Sequence, residues 1–202
     1  ILNYDTKRAK KYGLDLKVAL GIHPANTSVN PDLIYENLYK WIENKQIIAI
    51  GEIGLEDLTD SEIAIFKKQL DIGEETKTKV IVHTPRKNKK EVLKVIQDIV
   101  PQHIDPKLVV IDHINQNVAE DVIDKDYTLG LTVQPQKMDK EEAIAILDEY
   151  GFDKFLLNSD ISNKPSDPLS VPKTVRELEK LGYKKTEIEK VAFKNAEKFF
   201  KI

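Results

Sequence analysis

The sequence predicts an α/β fold of the TIM-type (β/α) barrel class, and three observations carry that reading. Short apolar, partly β-branched runs alternate with longer amphipathic stretches along the chain. Each run is nearly continuous in apolar residues, as expected of strands covered on both faces. Polar side chains able to bind metal stand at the C-terminal end of run after run, which in a βα barrel converge on one mouth. An open doubly wound sheet has the same alternation, but no G-x-G-x-x-G turn follows any strand here.

In chain order, ILNYDTKRAKKYG reads as the end of a helix, with Gly13 as its stop. The strands are expected at 16–22 (LKVALGI), 47–53 (IIAIGEI), 79–83 (KVIVH), 108–113 (LVVIDH), 127–133 (YTLGLTV) and 155–160 (FLLNSD). Helices start at readable caps: Asn30 before Pro31, Thr59 with Glu62 three residues on, and Asp139 with Glu142. Apolar residues then recur at helical spacing, as in Leu33, Ile34, Leu38, Trp41 and Ile42, or Ile188, Val191, Ala192, Phe199 and Phe200. Neither linker, repeat nor low-complexity tract interrupts the pattern, so residues 1–202 are expected to form a single domain.

Composition narrows the chemistry. The chain has 202 residues, 41% hydrophobic and 32% charged, which is ordinary for a soluble globular domain with a substantial core. A net charge of −3 supplies no global basic field toward nucleic acid or membrane, so any such contact needs a local patch. The absence of cysteine removes disulfides and thiolate ligands, leaves His, Asp and Glu as candidate ligands, and fits a cytoplasmic setting. No run within residues 1–202 approaches the apolar length of a membrane span, and no signal peptide is visible in them. The abundance of Lys, Glu and Ile is of the kind found in proteins of heat-loving microbes.

The strand-end residues are His23 in GIHP, Glu52 in GEIG, His83 in IVHTPR, His113 in VIDHI and Asp160 in LNSD. Taken singly, each has an ordinary explanation, a hydrogen-bonded packing histidine or an aspartate capping the next helix. Five at equivalent places, including three of the four histidines, is a coincidence those explanations do not cover. Carboxylate and imidazole without thiolate suit Zn, Mn, Fe or Mg. Such an ion would also neutralise Glu52, whose charge sits on an otherwise apolar strand. Strand alternation puts Ile50 with Glu52, Ile81 with His83, and Ile111 with His113 on shared faces, and so turns Asp112 away from His113, where it is placed to orient another group. In RKNKK, Arg86 is the residue suited to grip a phosphate bidentately, while Lys87, Lys89 and Lys90 are expected on a solvated helix start. His103, in PQHIDP, is expected as an exposed loop residue.

GIHP, AIGEIGLE, VIVHTPR, IDH and LNSD, in this order and over nearly the whole chain, resemble the TatD family of metal-dependent hydrolases, within the amidohydrolase-like barrels, and most closely its divergent archaeal branch. The resemblance implies that Glu52 bridges two metals, that His83 and His113 bind the second, and that Asp160 serves the first metal and the attacking water. It makes His23 a catalytic, substrate-side histidine, and Arg86, by its own chemistry and its place three residues after His83, is expected to bind the substrate beside it. Glu56 stands where the family has Asp, and Asn158 where it has an acidic residue. The family's first strand carries His-x-His, a pattern not found in this chain. With GIHP as third strand, the first one or two strands are expected upstream of Ile1, roughly 50 residues short of a barrel of about 250. The cofactors implied are divalent ions, Zn, Mn or Mg, two in the complete protein and one tightly bound in this chain. The activity implied is hydrolysis of a phosphoester, DNA included, by a metal-activated water. Two alternatives stand beside it: an amide or lactone hydrolase on the same barrel, and a catalytically inactive metal-binding barrel. No membrane partner is expected, and an oligomer is compatible with the reading.

Overall fold

Parallel strands follow one another across a single six-stranded sheet in chain order. They are β1 (Ala19–Leu20), β2 (Ala49–Gly54), β3 (Lys79–His83), β4 (Val109–Ile111), β5 (Thr128–Thr132) and β6 (Phe155–Asn158). Between them run α2 (Pro31–Glu43), α3 (Asp60–Thr76), α4 (Lys89–His103), α5 (Gln116–Val122) and α6 (Lys140–Tyr150), after a first helix α1 (Asp5–Lys11). The computed structural model describes residues 2–162 and 165–202, so Ile1 of the first helical stretch lies outside the described residues. Sequential parallel order with a crossover after every strand is the α/β topology of a TIM-type barrel. Among the described residues β1 and β6 are the two edges of the sheet.

The helix starts follow from capping chemistry. Asn30, Thr59 and Asp139 each accept a hydrogen bond from a backbone N–H of the first turn, donated by Asp32, Glu62 and Glu142. Gly13, at φ 74, follows α1 where a stop is expected. The strands divide their side chains by alternation: Val80 and Val82 are fully buried toward the helices, while Ile81 is half-buried on the face that His83 shares. Leu38, Phe66, Leu70, Ile96, Leu129, Leu147 and Phe155 fill the layer between sheet and helices.

Several elements differ from the sequence reading. β1 is only two residues long, against the seven expected, because Gln69 of α3 takes over Ile22: its Oε1 accepts from Ile22 N at 2.6 Å and its Nε2 donates to Ile22 O at 3.2 Å. Gly21 permits that approach, since a Cβ there would lie 2.7 Å from Ile53 and 3.1 Å from Gln69 Oε1. His103 is not in a loop; it is the last residue of α4, which contains Pro101, and its Nδ1 lies 2.7 Å from Asp71 Oδ1. At the C-terminus, after α7 (Ser170–Lys180), the expected single helix is three pieces: α8 (Lys185–Glu189), a π-helical turn (Lys190–Lys194) and α9 (Asn195–Phe200). The wide turn lets Asn195 donate to the carbonyls of Phe152 and Phe155, both at 2.8 Å, tying this end to the start of β6. Among the described residues no helix is long and apolar enough to cross a membrane.

Candidate metal centre

His23, Glu52, His83 and His113 meet at the C-terminal ends of β1 to β4. The ring of His83 lies 4.5 Å from that of His23 and 5.0 Å from that of His113, centroid to centroid. Two sets of donor atoms each fall within 4.8 Å of one another: His23, Glu52 and His83, and Glu52, Asp112 and His113. Glu52 belongs to both. The sets differ from the ligand grouping implied by the resemblance, which joined His83 with His113, placed His23 on the substrate side and left Asp112 out.

Asp112 comes in because alternation ends with β4 at Ile111. His113 takes a left-handed φ of 61, and the chain turns so that Asp112 Oδ1 accepts from the His113 backbone N–H at 2.7 Å. The expectation that Asp112 points away from His113 is thereby corrected. The same oxygen accepts from Thr132 Oγ1 at 3.3 Å and from Asn158 Nδ2 at 2.9 Å. Gly130 makes room for it, since a Cβ there would fall 2.0 Å from Asp112 Oδ1.

With the Thr132 proton on Asp112 Oδ1, 3.3 Å away, the hydroxyl oxygen accepts from His113 Nδ1 at 2.7 Å. In that tautomer Nε2 is left as a lone-pair acceptor, 3.1 Å from Glu52 Oε1. Glu52 Oε1 is buried and takes part in no hydrogen bond. Two acceptors held at that distance repel unless a cation lies between them, and the donor set suits a divalent ion. His83 Nε2 donates to Glu56 Oε2 at 3.0 Å, while its Nδ1 is buried without a partner. Glu56 is steadied by Glu62, a buried carboxylate on α3 that accepts from the backbone N–H groups of Glu56 at 3.3 Å and Asp57 at 3.0 Å.

The electrostatics favour the neutral imidazole at His83 and at His23, the form a metal ligand takes. Burial first, then the neighbouring His113, His23, Lys137 and Lys89, push His83 from its ordinary 6.5 to about 2. The Glu56 carboxylate would favour the imidazolium, but burial and four neighbouring basic groups outweigh one half-exposed anion. His23 is also lowered, burial outweighing the carboxylates of Glu52 and Glu56. Its Nδ1 accepts from Ala25 N at 3.0 Å, so the neutral ring carries its proton on Nε2. In that tautomer His23 is a donor, which favours a substrate-side position over a ligand position.

Asp160 belongs to neither donor set. Its Oδ2 lies 2.5 Å from Lys137 Nζ, and that ammonium lies 3.3 Å from His113 Nε2. Arg86 is exposed and gives one N–H to Gln134 Oε1 at 3.1 Å. Lys89 corrects the expectation of a solvated start to α4. Its ammonium is spent on Thr84 Oγ1 at 2.7 Å, Thr84 O at 3.4 Å and His113 O at 2.8 Å, and burial, with Lys137 second, lowers it to about 8. Lys87 and Lys90 are exposed, as expected. Thr132, Asp112, Lys89 and Lys137 thus complete a site whose sequence signature was confined to strand-end His, Glu and Asp. The available signal for Lys137 was a basic residue in the loop leaving a strand that ends at this mouth.

Comparison with known proteins agrees with the geometry. The profile of the family described as TatD related DNase matches residues 2–201. An uncharacterized metal-dependent hydrolase from Methanocaldococcus jannaschii is 36% identical over 207 residues, covering 100% of this chain and 80% of that protein. The crystal structure of a TatD-like protein from Archaeoglobus fulgidus superposes with a TM-score of 0.78 at 32% identity, over 98% of this chain and 78% of that one. A phosphotriesterase homology protein from Escherichia coli, solved with phosphate in its active site, shares the fold at a TM-score of 0.77 and 16% identity, over 97% of this chain and 78% of that one. With a family match across nearly its whole length and a clustered carboxylate–imidazole site, the chain belongs to the TatD-related DNase family of metal-dependent hydrolases.

Proposed function

We propose that the protein hydrolyses phosphodiesters, nucleic acid included, with water activated at a divalent-metal centre anchored by Glu52, His83 and His113. The observation that carries the reading is Glu52 Oε1, buried, without a hydrogen bond, and 3.1 Å from Nε2 of His113. Shared membership of Glu52 in both donor sets supports a bridging role for it. The family description points to DNA, and the Escherichia coli structural relative holds phosphate. The phosphoester reading is preferred to amide or lactone hydrolysis because the strand end that would carry a carboxylated lysine bridge bears Glu52.

A bound divalent ion would lower the pKa of its water and offset charge growing on the phosphoryl oxygens. The rest falls to the chain's own groups. Asp160, at the end of β6 beside the cluster, takes the proton of the attacking water. His23 presents its Nε2 proton to an oxygen of the substrate. Arg86, held by one hydrogen bond to Gln134, has its remaining N–H groups for a phosphate at the mouth. Glu56 and Thr132 orient His83 and His113 by taking their outer protons.

The test is turnover of bis(p-nitrophenyl) phosphate and a DNA oligonucleotide by protein supplied with Mn²⁺, Zn²⁺ or Mg²⁺, against chelated protein, with a phosphotriester and a lactone as further arms. Diester cleavage that requires metal and is lost in Glu52→Gln is expected. Diester cleavage undiminished by chelation, or lactone turnover without any on the diester, would refute the reading.

A further inference from the structure

We infer that Lys137 is an internal counter-cation of the metal centre: it holds Asp160 while no ion is bound and competes with a divalent ion for that carboxylate. The inference rests on the metal-centre reading above. Lys137 Nζ lies 2.5 Å from Asp160 Oδ2, and its side chain is only 12% exposed, so this is a largely desolvated pair. The ammonium stands 3.3 Å from His113 Nε2 and 3.4 Å from Nδ1. Near-equal distances put it against the face of the ring. Positive charge is therefore already present at the edge of the cluster, on the side where Asp160 would join it.

The backbone holds this arrangement in place. In the loop after β5, Lys137 N donates to Gln134 O at 3.0 Å, and Gln134 and Met138 pair in both directions, at 3.1 and 3.2 Å. The side chain of Gln134 donates in turn to the backbone carbonyl of Asp160 at 2.5 Å. Lys137 and Asp160 are thus carried on one hydrogen-bonded unit spanning the ends of β5 and β6. An ion entering the Glu52, Asp112 and His113 donors meets an ammonium a few ångströms away, and recruits Asp160 only by displacing it. Ion affinity at this position is then set by a residue that is not a ligand.

The experiment is calorimetric titration of Mn²⁺ into chelator-stripped protein, comparing wild type with Lys137→Met and Lys137→Arg, together with thermal unfolding of each with and without Mn²⁺. Lys137→Met should bind Mn²⁺ roughly tenfold tighter or more, because a like charge has been removed from a low-dielectric site. Lys137→Arg, which keeps the charge, should stay near wild type. The metal-free Met variant should melt lower than wild type, and saturating Mn²⁺ should close that gap. If Lys137→Met does not fold, Lys137→Gln carries the same comparison, since it removes the charge and keeps a donor to Asp160. Unchanged or weaker Mn²⁺ binding in a folded, uncharged variant overturns the inference and leaves the metal centre standing. Equal tightening by Arg and Met would trace the effect to side-chain shape and overturn it as well. A protein that takes up no ion with or without Lys137 overturns both the inference and the reading beneath it.

Discussion

In the metal-free protein His83 should act as a proton-linked weak point whose cost can be measured. Its ring is pushed from 6.5 to about 2 in the folded state, so the native protein leaves it neutral across a range where the unfolded chain binds a proton. Stability from this group is therefore intact above about pH 6.5 and is lost as the pH falls below it. At 1.36 kcal/mol per pH unit, moving from about pH 7 to about pH 5 removes roughly 2 kcal/mol. The side chain is 10% exposed, so solvent screening takes little from this figure.

The assay is urea unfolding in excess chelator at both pH values, for wild type and for His83→Asn. Carboxylates titrate in both proteins, and subtracting one pH difference from the other leaves the histidine. Wild type should lose roughly 2 kcal/mol more than the variant over that interval. Parallel losses would mean that Glu56, 3.0 Å from Nε2, stabilises the imidazolium as much as burial opposes it, and the description of a neutral, metal-ready His83 would fail.

Other consequences can be checked with the same preparations. Glu52→Gln keeps shape and removes the anion shared by both donor sets, so bound metal, read by elemental analysis after dialysis, should fall sharply while the chelated protein stays folded. Thr132→Val removes the hydrogen-bond partner of His113 Nδ1, and Mn²⁺ affinity by calorimetry should drop by roughly 10–100-fold. Gly130→Ala puts a Cβ 2.0 Å from Asp112 Oδ1, and the forced shift should cost about 1–3 kcal/mol in urea unfolding and weaken Mn²⁺ binding along with it. Gln69→Leu leaves the Ile22 N–H and C=O without partners, and a loss of about 1–3 kcal/mol for each group is expected in the same measurement.

What was legible in the sequence was whatever the chain encodes locally. KVIVH forms β3 over the residues expected, because β-branched side chains facing helices on one side and the site on the other fix both extent and alternation. The caps at Asn30, Thr59 and Asp139 were readable because an N-cap is a contact between neighbours in sequence. Glu52 and the three site histidines were readable because strand ends in this topology share a mouth. What escaped depends on contacts made across the chain. Gln69 reads as one more polar residue on α3, yet it replaces the ladder at Ile22, 47 positions away, and so sets where His23 begins. Asp112 follows the alternation rule only while the strand lasts, and the strand stops one residue before it. Lys137 sits five residues beyond the end of β5, where neither periodicity nor capping constrains a side chain. Its significance comes from a turn that folds it back on Asp160 and His113, a distance of 23 and 24 residues along the chain. Candidate ligand types could thus be inferred from composition and topology, whereas the groups that contact those candidates and balance their charge are placed by tertiary contacts. Substitutions at Thr132, Asp112 and Lys137 therefore separate a working metal centre from a mere coincidence of strand-end histidines.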